Sequence, residues 1–151
     1  MVKRSTAIVI CTESGLLEKQ SILLVKSLRK FGGIYRDIPI FSYSPRARKI
    51  SIKTEQNFHQ LKVIHHPLEL NKHHSHYGLA NKIYACAQFE ANYDFDNIVF
   101  LDSDQLILNE PELFNIQSNY DVAVSKVAMK GIGSNGQDKN SSYWENLYDL
   151  L

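Results

Sequence analysis

The sequence contains few cysteines, almost no net charge and no long apolar run, and each shortage excludes a class of protein. Two cysteines, Cys11 and Cys86, cannot build a disulfide framework, and both lie in apolar segments that favour buried, reduced thiols. A formal net charge of +1 provides neither the basic surface of a nucleic-acid-binding protein nor the acidic tail of a disordered one. We therefore expect a globular protein that does not bind nucleic acid.

The sequence also has no segment typical of export or membrane insertion. No run approaches the ~18 apolar residues that a membrane-spanning helix needs. The basic start Met1–Arg4 is followed by the apolar segment Ala7–Cys11, which is shorter than a signal-peptide core and ends at the polar Thr12. The chain of 151 residues, without internal repeats or low-complexity segments, has about the length of one domain. We expect a soluble, cytoplasmic protein without a membrane span.

The hydrophobic pattern alternates between strands and helices. Strands are predicted at five short apolar segments: Ala7–Cys11, Asp37–Tyr43, Leu61–His65, Asn97–Leu101 and Asp121–Ser125. Helices are predicted where apolar residues recur at helical spacing: Leu17–Phe31, weakly Arg46–Gln60, Tyr77–Asn92 and Tyr143–Leu151. This alternation predicts an α/β fold with a mainly parallel sheet flanked by helices.

Local signals mark the ends and faces of these elements. Ser14 is suited to cap the first helix, and Gly32 is suited to end it. Pro39 indicates either an edge strand or the start of a strand. The apolar face of the helix at Tyr77–Asn92 is predicted from the following residues: Leu79, Ile83, Cys86 and Ala87.

Polar residues follow two of the predicted strands, where ligands bind in parallel sheets. Thr12 and Glu13 follow the first strand, and Asp102 and Asp104 follow the strand Asn97–Leu101. In extended backbone, residues two apart point to the same side, so both carboxylates are expected to face one point. Two neighbouring anions repel each other and are costly to desolvate unless a cation neutralises them.

The acid pair predicts a divalent metal site. Asp102 and Asp104 lie between the apolar segments Ile98–Leu101 and Leu106–Leu108, which argues against the alternative of a solvated turn. Oxygen ligands favour Mg²⁺ or Mn²⁺ over Zn²⁺, and these ions commonly bind substrate phosphates. We therefore expect a nucleotide diphosphate as the third partner of the site.

Three segments together resemble the core of the GT-A glycosyltransferases: Tyr77–Tyr84, Asn97–Asp104 and Asn109–Phe114. The chain is most similar to glycosyltransferase family 8, the glycogenin-like and bacterial galactosyltransferase-like group, over roughly residues 5–125. In that family a helix carrying Lys or Arg precedes a strand that ends in an acid-x-acid motif. The resemblance implies a Rossmann-like GT-A nucleotide-diphospho-sugar transferase fold and a retaining hexosyltransferase. Its donor would be a UDP-sugar and its acceptor an unknown glycan, protein or lipid.

The same resemblance implies roles for individual residues. Asp102 and Asp104 would coordinate the metal, with Lys82 as a second cation near the diphosphate. Contacts with the nucleotide sugar are implied for six residues: Thr12, Glu13, Tyr43, Arg46, Lys82 and Ser103. Several of these have structural alternatives, since Lys82 could be a solvated helix lysine and Glu13 an acid favoured in the first turn of a helix. No catalytic base or nucleophile is identified.

Two polar segments invite other interpretations. Five histidines fall in a short window: His65, His66, His73, His74 and His76. Zinc is disfavoured there because the window has neither a nearby cysteine nor an H-E-x-x-H pattern, so a polar loop is preferred. His76 or Tyr77 lining the donor pocket is a weaker alternative. Gly131–Gly136 lacks the pattern of a phosphate-binding loop and is interpreted as a connection.

Family members run past 200 residues, and their later part supplies the acceptor wall and a further metal ligand, often histidine. The chain ends in an apolar stripe with nothing downstream to cover it: Trp144, Leu147 and Leu151. We expect residues 1–151 to be a single nucleotide-sugar-binding domain without its acceptor part, and we leave open a homodimer.

Two alternative functions compete with sugar transfer. A module that binds a nucleotide sugar without catalysis would use the same residues. A phosphohydrolase of the haloacid-dehalogenase type also carries an acid-x-acid motif after a strand. Its motif normally continues with Gly or Val and then Thr, whereas Gln105 and Leu106 follow here.

Overall fold

The computed structural model describes residues 5–114, 116, 120–124, 137 and 141–142. The chain divides into two compact units, Met1–Asn115 and Ile116–Leu151, and all elements below belong to the first. The assignment of both units to one nucleotide-sugar-binding domain stays a prediction. The glycine-rich segment Gly131–Gly136 and the predicted helix Tyr143–Leu151, with its apolar stripe, lie outside the described residues. The strand predicted at Asp121–Ser125 is not found at residues 121–124, which have no regular secondary structure.

Strands and helices alternate along the first unit as predicted. The strands are β1 (Thr6–Cys11), β2 (Ile40–Tyr43), β3 (Val63–His66) and β4 (Asn97–Leu101). The α-helices are α1 (Leu16–Phe31), α2 (Ile52–Gln60) and α3 (Asn81–Asn92). Short 3₁₀ turns occur at Gly33–Tyr35, Gly78–Ala80 and Glu112–Phe114. None of the helices in the described part of the chain has the length and apolar composition needed to cross a membrane.

The four strands form one parallel sheet in the order β3-β2-β1-β4. This confirms the predicted α/β fold with a parallel sheet flanked by helices. Ile8 in β1 pairs with Ile40 in β2 and with Val99 in β4. Pro39 lies just before β2, which has neighbours on both sides, so this proline marks a strand start and not an edge.

β1 is buried on both faces, which explains why its sequence is continuously apolar rather than alternating. On one face, Ile8 and Ile10 belong to a cluster with Leu24 and Leu28 of α1. On the other face, Ala7 and Val9 belong to a second cluster that contains two residues of α3: Ala85 and Phe89. The end of β1 is therefore held in place from both sides of the sheet.

The structure corrects two local predictions. Gly15, with φ of 98°, occupies the cap position of α1 that was predicted for Ser14, because this backbone conformation strongly favours glycine. In α3 the buried residues are Asn81, Ala85 and Phe89, whereas Ile83 is 70% exposed. The predicted apolar face is thus rotated, because Phe89 joins an aromatic cluster with Phe41, Tyr93 and Phe95.

Glu18 joins the beginnings of α1 and α2. Its Oε1 accepts the backbone N–H of Gly15 at 2.9 Å, and its Oε2 accepts the backbone N–H of Ser51 at 2.8 Å. The hydroxyls of Ser51 and Thr54 donate to the same Oε2, at 2.6 and 2.5 Å. Burial alone would raise the pKa of Glu18, but these hydrogen bonds outweigh it and lower the pKa from 4.5 to about 2.

Replacing Glu18 with Gln should make the free energy of unfolding less dependent on pH. A carboxylate whose pKa is lower in the folded chain stabilises it above the unfolded value of 4.5, and this contribution disappears as the pH falls towards 2. We expect Glu18→Gln to lower the free energy of unfolding by about 1–3 kcal/mol at pH 7, with a shrinking difference below pH 4.5. Urea unfolding between pH 7 and pH 3 measures this, with Glu69→Gln as the exposed control. A difference that stays constant over this range would contradict the assignment.

The corrected face of α3 can be tested by two truncations on the same helix. Phe89 is fully buried and packs on Phe41 at 4.8 Å between ring centroids, so Phe89→Ala should cost about 3–5 kcal/mol of unfolding free energy. Ile83→Ala should cost less than about 1 kcal/mol because the side chain is exposed. Chemical denaturation measures both values. Equal losses of unfolding free energy would contradict the observed burial and support the predicted face that includes Ile83.

Candidate functional site

A cavity of about 330 Å³ lies at the carboxyl ends of β1 and β4. Its walls come from these strand ends, the start of α1, the turn after β2 and the turn that leads into α3. The lining residues are Cys11, Leu17, Arg46, Gly78, Leu79, Asn81, Lys82, Phe100, Asp102 and Ser103. Of the predicted site residues, the cavity therefore brings together Arg46, Lys82, Asp102 and Ser103. Parallel sheets bind their ligands at this edge.

Asp102 forms an ion pair with Lys82 at the cavity. The ammonium Nζ of Lys82 lies 3.1 Å from Oδ1 and 3.4 Å from Oδ2 of Asp102. The side chains of Lys82 and Asp102 are 38% and 53% exposed, so water screens the pair and its contribution to stability is small. The same Nζ lies 5.4 Å from the ring centroid of Phe100. The carboxylate thus faces a cation in an accessible position.

The second acid of the motif lies beyond a turn. Residues 103–104 form this turn, and the backbone N–H of Gln105 donates to the carbonyl of Asp102 at 3.2 Å. The expectation that extended backbone directs both carboxylates to one side is therefore wrong. Asp104 is exposed and is not among the described residues that line the cavity, whereas Ser103 is 8% exposed and lines it. Asp104 lies inside this turn, two residues after Asp102.

Glu13 lies buried beneath the cavity and holds Arg46. Glu13 is 1% exposed, and its two oxygens accept from Nε of Arg46 at 3.0 and 2.9 Å. Nη2 and the backbone N–H of Arg46 also donate to this carboxylate, as does Nδ2 of Asn81. The hydrogen bonds that Arg46 donates to Glu13 raise the pKa of Arg46. Glu13 was predicted to contact the nucleoside, but the structure uses its oxygens to orient Arg46.

Thr12 and Tyr43, also predicted to contact the donor, are buried outside the described cavity lining. The hydroxyl of Thr12 donates to Oγ of Ser21 at 2.7 Å, and its carbonyl accepts from the hydroxyl of Ser44 at 2.5 Å. The Tyr43 ring is 1% exposed and stacks 5.1 Å from the ring of His66. Burial raises the pKa of Tyr43 to about 12. Both residues support the strand ends instead of facing the cavity.

Sequence reasoning missed two buried asparagines beside the cavity. Asn71 is 1% exposed, and its Nδ2 donates to Oδ1 of Asn81 at 2.8 Å. Nδ2 of Asn71 also donates to the carbonyl of His74, and Oδ1 of Asn71 accepts from the backbone N–H of His74, at 3.1 Å each. Asn81 falls four and eight residues before Ala85 and Phe89, so its place on the buried face of α3 was a usable signal. Asn71 carries no such signal, because it lies in a polar loop.

Three of the five histidines in the 65–76 window use a ring nitrogen in a contact with a neighbouring side chain. His65 Nδ1 lies 3.1 Å from the hydroxyl of Ser42, and His66 Nε2 lies 3.1 Å from the hydroxyl of Tyr93. Nδ1 of His74 lies 2.9 Å from the hydroxyl of Tyr84. Within the described ranges, no group of three His, Cys, Asp or Glu residues is placed to hold a metal ion. His76 and Tyr77, predicted as a weaker alternative for the donor pocket, are not among the described residues that line the cavity. The next two residues in the chain, Gly78 and Leu79, do line it.

A parallel sheet in the order β3-β2-β1-β4, flanked by helices and with a cavity at its carboxyl edge, defines a Rossmann-like α/β fold. Residues 8–151 match the model of the Rhodobacterales glycosyltransferase domain, and the chain belongs to this family. No curated protein matches the chain in sequence. The family confirms the prediction of a glycosyltransferase, which implies a nucleotide-sugar donor and an acceptor. The finer similarity to GT-A enzymes and to family 8 stays a prediction.

Proposed function

We propose that the chain is the donor-binding part of a metal-dependent hexosyltransferase of the GT-A type. Its donor is a UDP-sugar, and its acceptor is a glycan, a protein or a lipid. The observation that carries this proposal is the position of the Asp102 carboxylate. It follows β4, lines the cavity and forms an ion pair with the Lys82 ammonium. Membership of a glycosyltransferase family supports it. A volume of about 330 Å³ suits part of such a donor, since ligand pockets range from about 300 to 1,000 Å³.

The residues at the end of β4 fit Mn²⁺ or Mg²⁺. Both oxygens of Asp102 lie within 3.4 Å of the Lys82 ammonium, so the carboxylate is directed at a position where a cation can sit. Asp104 follows within the same turn, is exposed, and would supply a second hard oxygen donor. These ions keep several waters and bind substrate phosphates, so two carboxylates from the chain are enough. Asp102 and Asp104 would therefore hold the ion.

Each side chain at this edge then has a defined task. A bound divalent cation would stabilise the charge that develops on the leaving diphosphate. Lys82 pairs with Asp102 in a half-exposed position, so its ammonium would be available to the diphosphate oxygens if Asp102 held the ion. Ser103, buried against the cavity, positions the donor between the two acids.

A nucleotide-sugar-binding module without catalysis is the second candidate function. Asp102 is the one carboxylate among the described lining residues. Since Asp102 is proposed to bind the metal, no second carboxylate of this lining is left to act as a catalytic base or nucleophile. Burial raises the pKa of the Cys11 thiol to about 12, so at neutral pH this lining residue is protonated and a poor nucleophile. Hydrolysis or transfer of a UDP-sugar by the purified chain would favour the enzyme, and binding without turnover would favour the module.

The metal assignment predicts nucleotide binding that depends on both acids. We expect Asp102→Asn and Asp104→Asn each to weaken Mn²⁺-dependent UDP binding at least tenfold, or about 1.4 kcal/mol, because each removes an anionic metal ligand. Titration calorimetry with UDP and GDP, with and without Mn²⁺, measures this, and Asp94→Asn is the exposed control. Hydrolysis of a generic phosphomonoester without nucleotide affinity would favour a phosphohydrolase and overturn the proposal.

Lys82 should have opposite effects on the metal and on the nucleotide. Its ammonium competes for Asp102, and exposed pairs of this kind contribute about 0.2–1 kcal/mol. Lys82→Gln should therefore tighten Mn²⁺ binding by up to about fivefold while weakening UDP binding in the presence of Mn²⁺. Electron paramagnetic resonance of free Mn²⁺ measures the first effect, and Lys19→Gln on α1 serves as control. An unchanged Mn²⁺ affinity in Lys82→Gln would contradict the proposal that the Lys82 ammonium competes with Mn²⁺ for Asp102.

A further inference from the structure

Arg46 is the most firmly held polar side chain at the cavity. A guanidinium carries five N–H groups. Nε and Nη2 donate to Glu13, and Nη1 donates to the carbonyl of Ser75 at 3.3 Å. Two N–H groups, one on each terminal nitrogen, therefore have no hydrogen-bond partner among the described residues. Arg46 lines the cavity with its side chain 17% exposed, so these two groups are available to a ligand there.

A ring of hydrogen bonds fixes the direction of this guanidinium. Glu13 accepts from Arg46 and Asn81, and Asn81 in turn accepts from Asn71 at 2.8 Å. Asn71 bonds the backbone of His74, next to the Ser75 carbonyl that receives Nη1. We call Glu13, Arg46, Asn81 and Asn71 the Glu13 network.

The backbone ties the same loop to the turn that carries Arg46. The N–H groups of Leu70 and Asn71 both donate to the carbonyl of Pro45 at 2.8 Å. Because side chains and backbone restrain this loop together, the free N–H groups of Arg46 are preorganised, and a ligand that uses them does not have to order the side chain.

The charge balance of the Glu13 network determines whether Arg46 favours a charged or a neutral ligand oxygen. The Glu13 carboxylate neutralises Arg46 at hydrogen-bond distance, so the pair offers directed donors with little net positive charge. An anionic phosphate gains little from such a pair, whereas a neutral oxygen gains a hydrogen bond without an opposing charge. The cation for the diphosphate in the proposed function is Lys82, in its half-exposed pair with Asp102.

We propose that Arg46 recognises a neutral oxygen acceptor of the donor, a nucleobase carbonyl or a sugar hydroxyl. Glu13, Asn81 and Asn71 are positioning residues that aim its guanidinium. This inference rests on the proposed function, since it assigns a specificity-determining contact within the same donor site. It replaces the expectation that Glu13 itself contacts the nucleoside.

Arg46→Lys tests the contact, because lysine keeps the charge but loses the planar fork. With Mn²⁺ present, the affinity for UDP-glucose should fall on the order of tenfold, and the affinity for inorganic pyrophosphate should stay unchanged. An equal loss for UDP assigns the contact to the nucleobase, and a loss confined to UDP-glucose assigns it to the sugar. Arg48→Lys, two residues away and exposed, is the matched control. A loss of pyrophosphate affinity as large as that for UDP-glucose would overturn the proposal.

Glu13→Gln tests the positioning role through a change of opposite sign. Removing the carboxylate charge leaves Arg46 unneutralised, so pyrophosphate affinity should rise several-fold while UDP-glucose affinity falls. A purely structural defect would lower both affinities. Asn71→Ala leaves the charges intact, and it should weaken UDP-glucose binding without raising pyrophosphate affinity. Because Glu13 is buried, thermal unfolding should first establish that its variant folds, and Asn71→Ala decides the question if it does not.

The two proposals fail in different ways. Metal-dependent UDP binding that is lost in Asp102→Asn, together with a UDP-glucose affinity that is unchanged in Arg46→Lys, Glu13→Gln and Asn71→Ala, overturns this inference alone. A wild-type chain that binds neither UDP nor UDP-glucose in the presence of Mn²⁺ overturns the proposed function together with it. Hydrogen exchange at residues 71–78 gives an independent readout, since Asn71→Ala should speed exchange there whether or not a ligand binds.

Discussion

The burial of β1 on both faces is the constraint on which the site depends. β1 pairs in parallel with β2 and β4, and helices cover both of its faces, so its carboxyl end has one fixed position. The segments that follow β1, β2 and β4 are consequently brought to the same edge of the sheet. Residues distant in sequence, Cys11, Arg46 and Asp102, meet around one cavity because of strand pairing and not because of any local motif.

The site separates charge into two pairs with different burial. Glu13 and Arg46 form a buried pair supported by further hydrogen bonds, whereas Lys82 and Asp102 form a half-exposed pair without such support. A buried pair is costly to break, because either partner would be left as an uncompensated charge. An exposed pair exchanges partners readily. One pair is therefore suited to a fixed geometric role and the other to exchange of ions.

The elements were largely predictable from sequence, and the contacts between them were not. β4 follows from a buried apolar run, and its predicted bounds agree with the structure. A turn at the acid pair was the disfavoured alternative, because the apolar segments on both sides of it do not distinguish extended backbone from a tight turn. The roles of Glu13 and Asn71 depend on partners 33 and 10 residues away, which no local pattern encodes. Likewise, the exposure of Ile83 depends on an aromatic cluster assembled from several elements.

The cavity has walls of two kinds, and this difference bears on how the family can diversify. Behind the strand ends, Thr12 and Glu13 are buried and hydrogen-bonded, so substitutions there disturb the sheet. The wall that leads into α3 is irregular, and residues 72–79 are all exposed. Substitutions in that wall can reshape the cavity at little energetic cost to the core. Evolution of new donor preferences is therefore expected to proceed through this segment, while Thr6–Glu13 changes slowly.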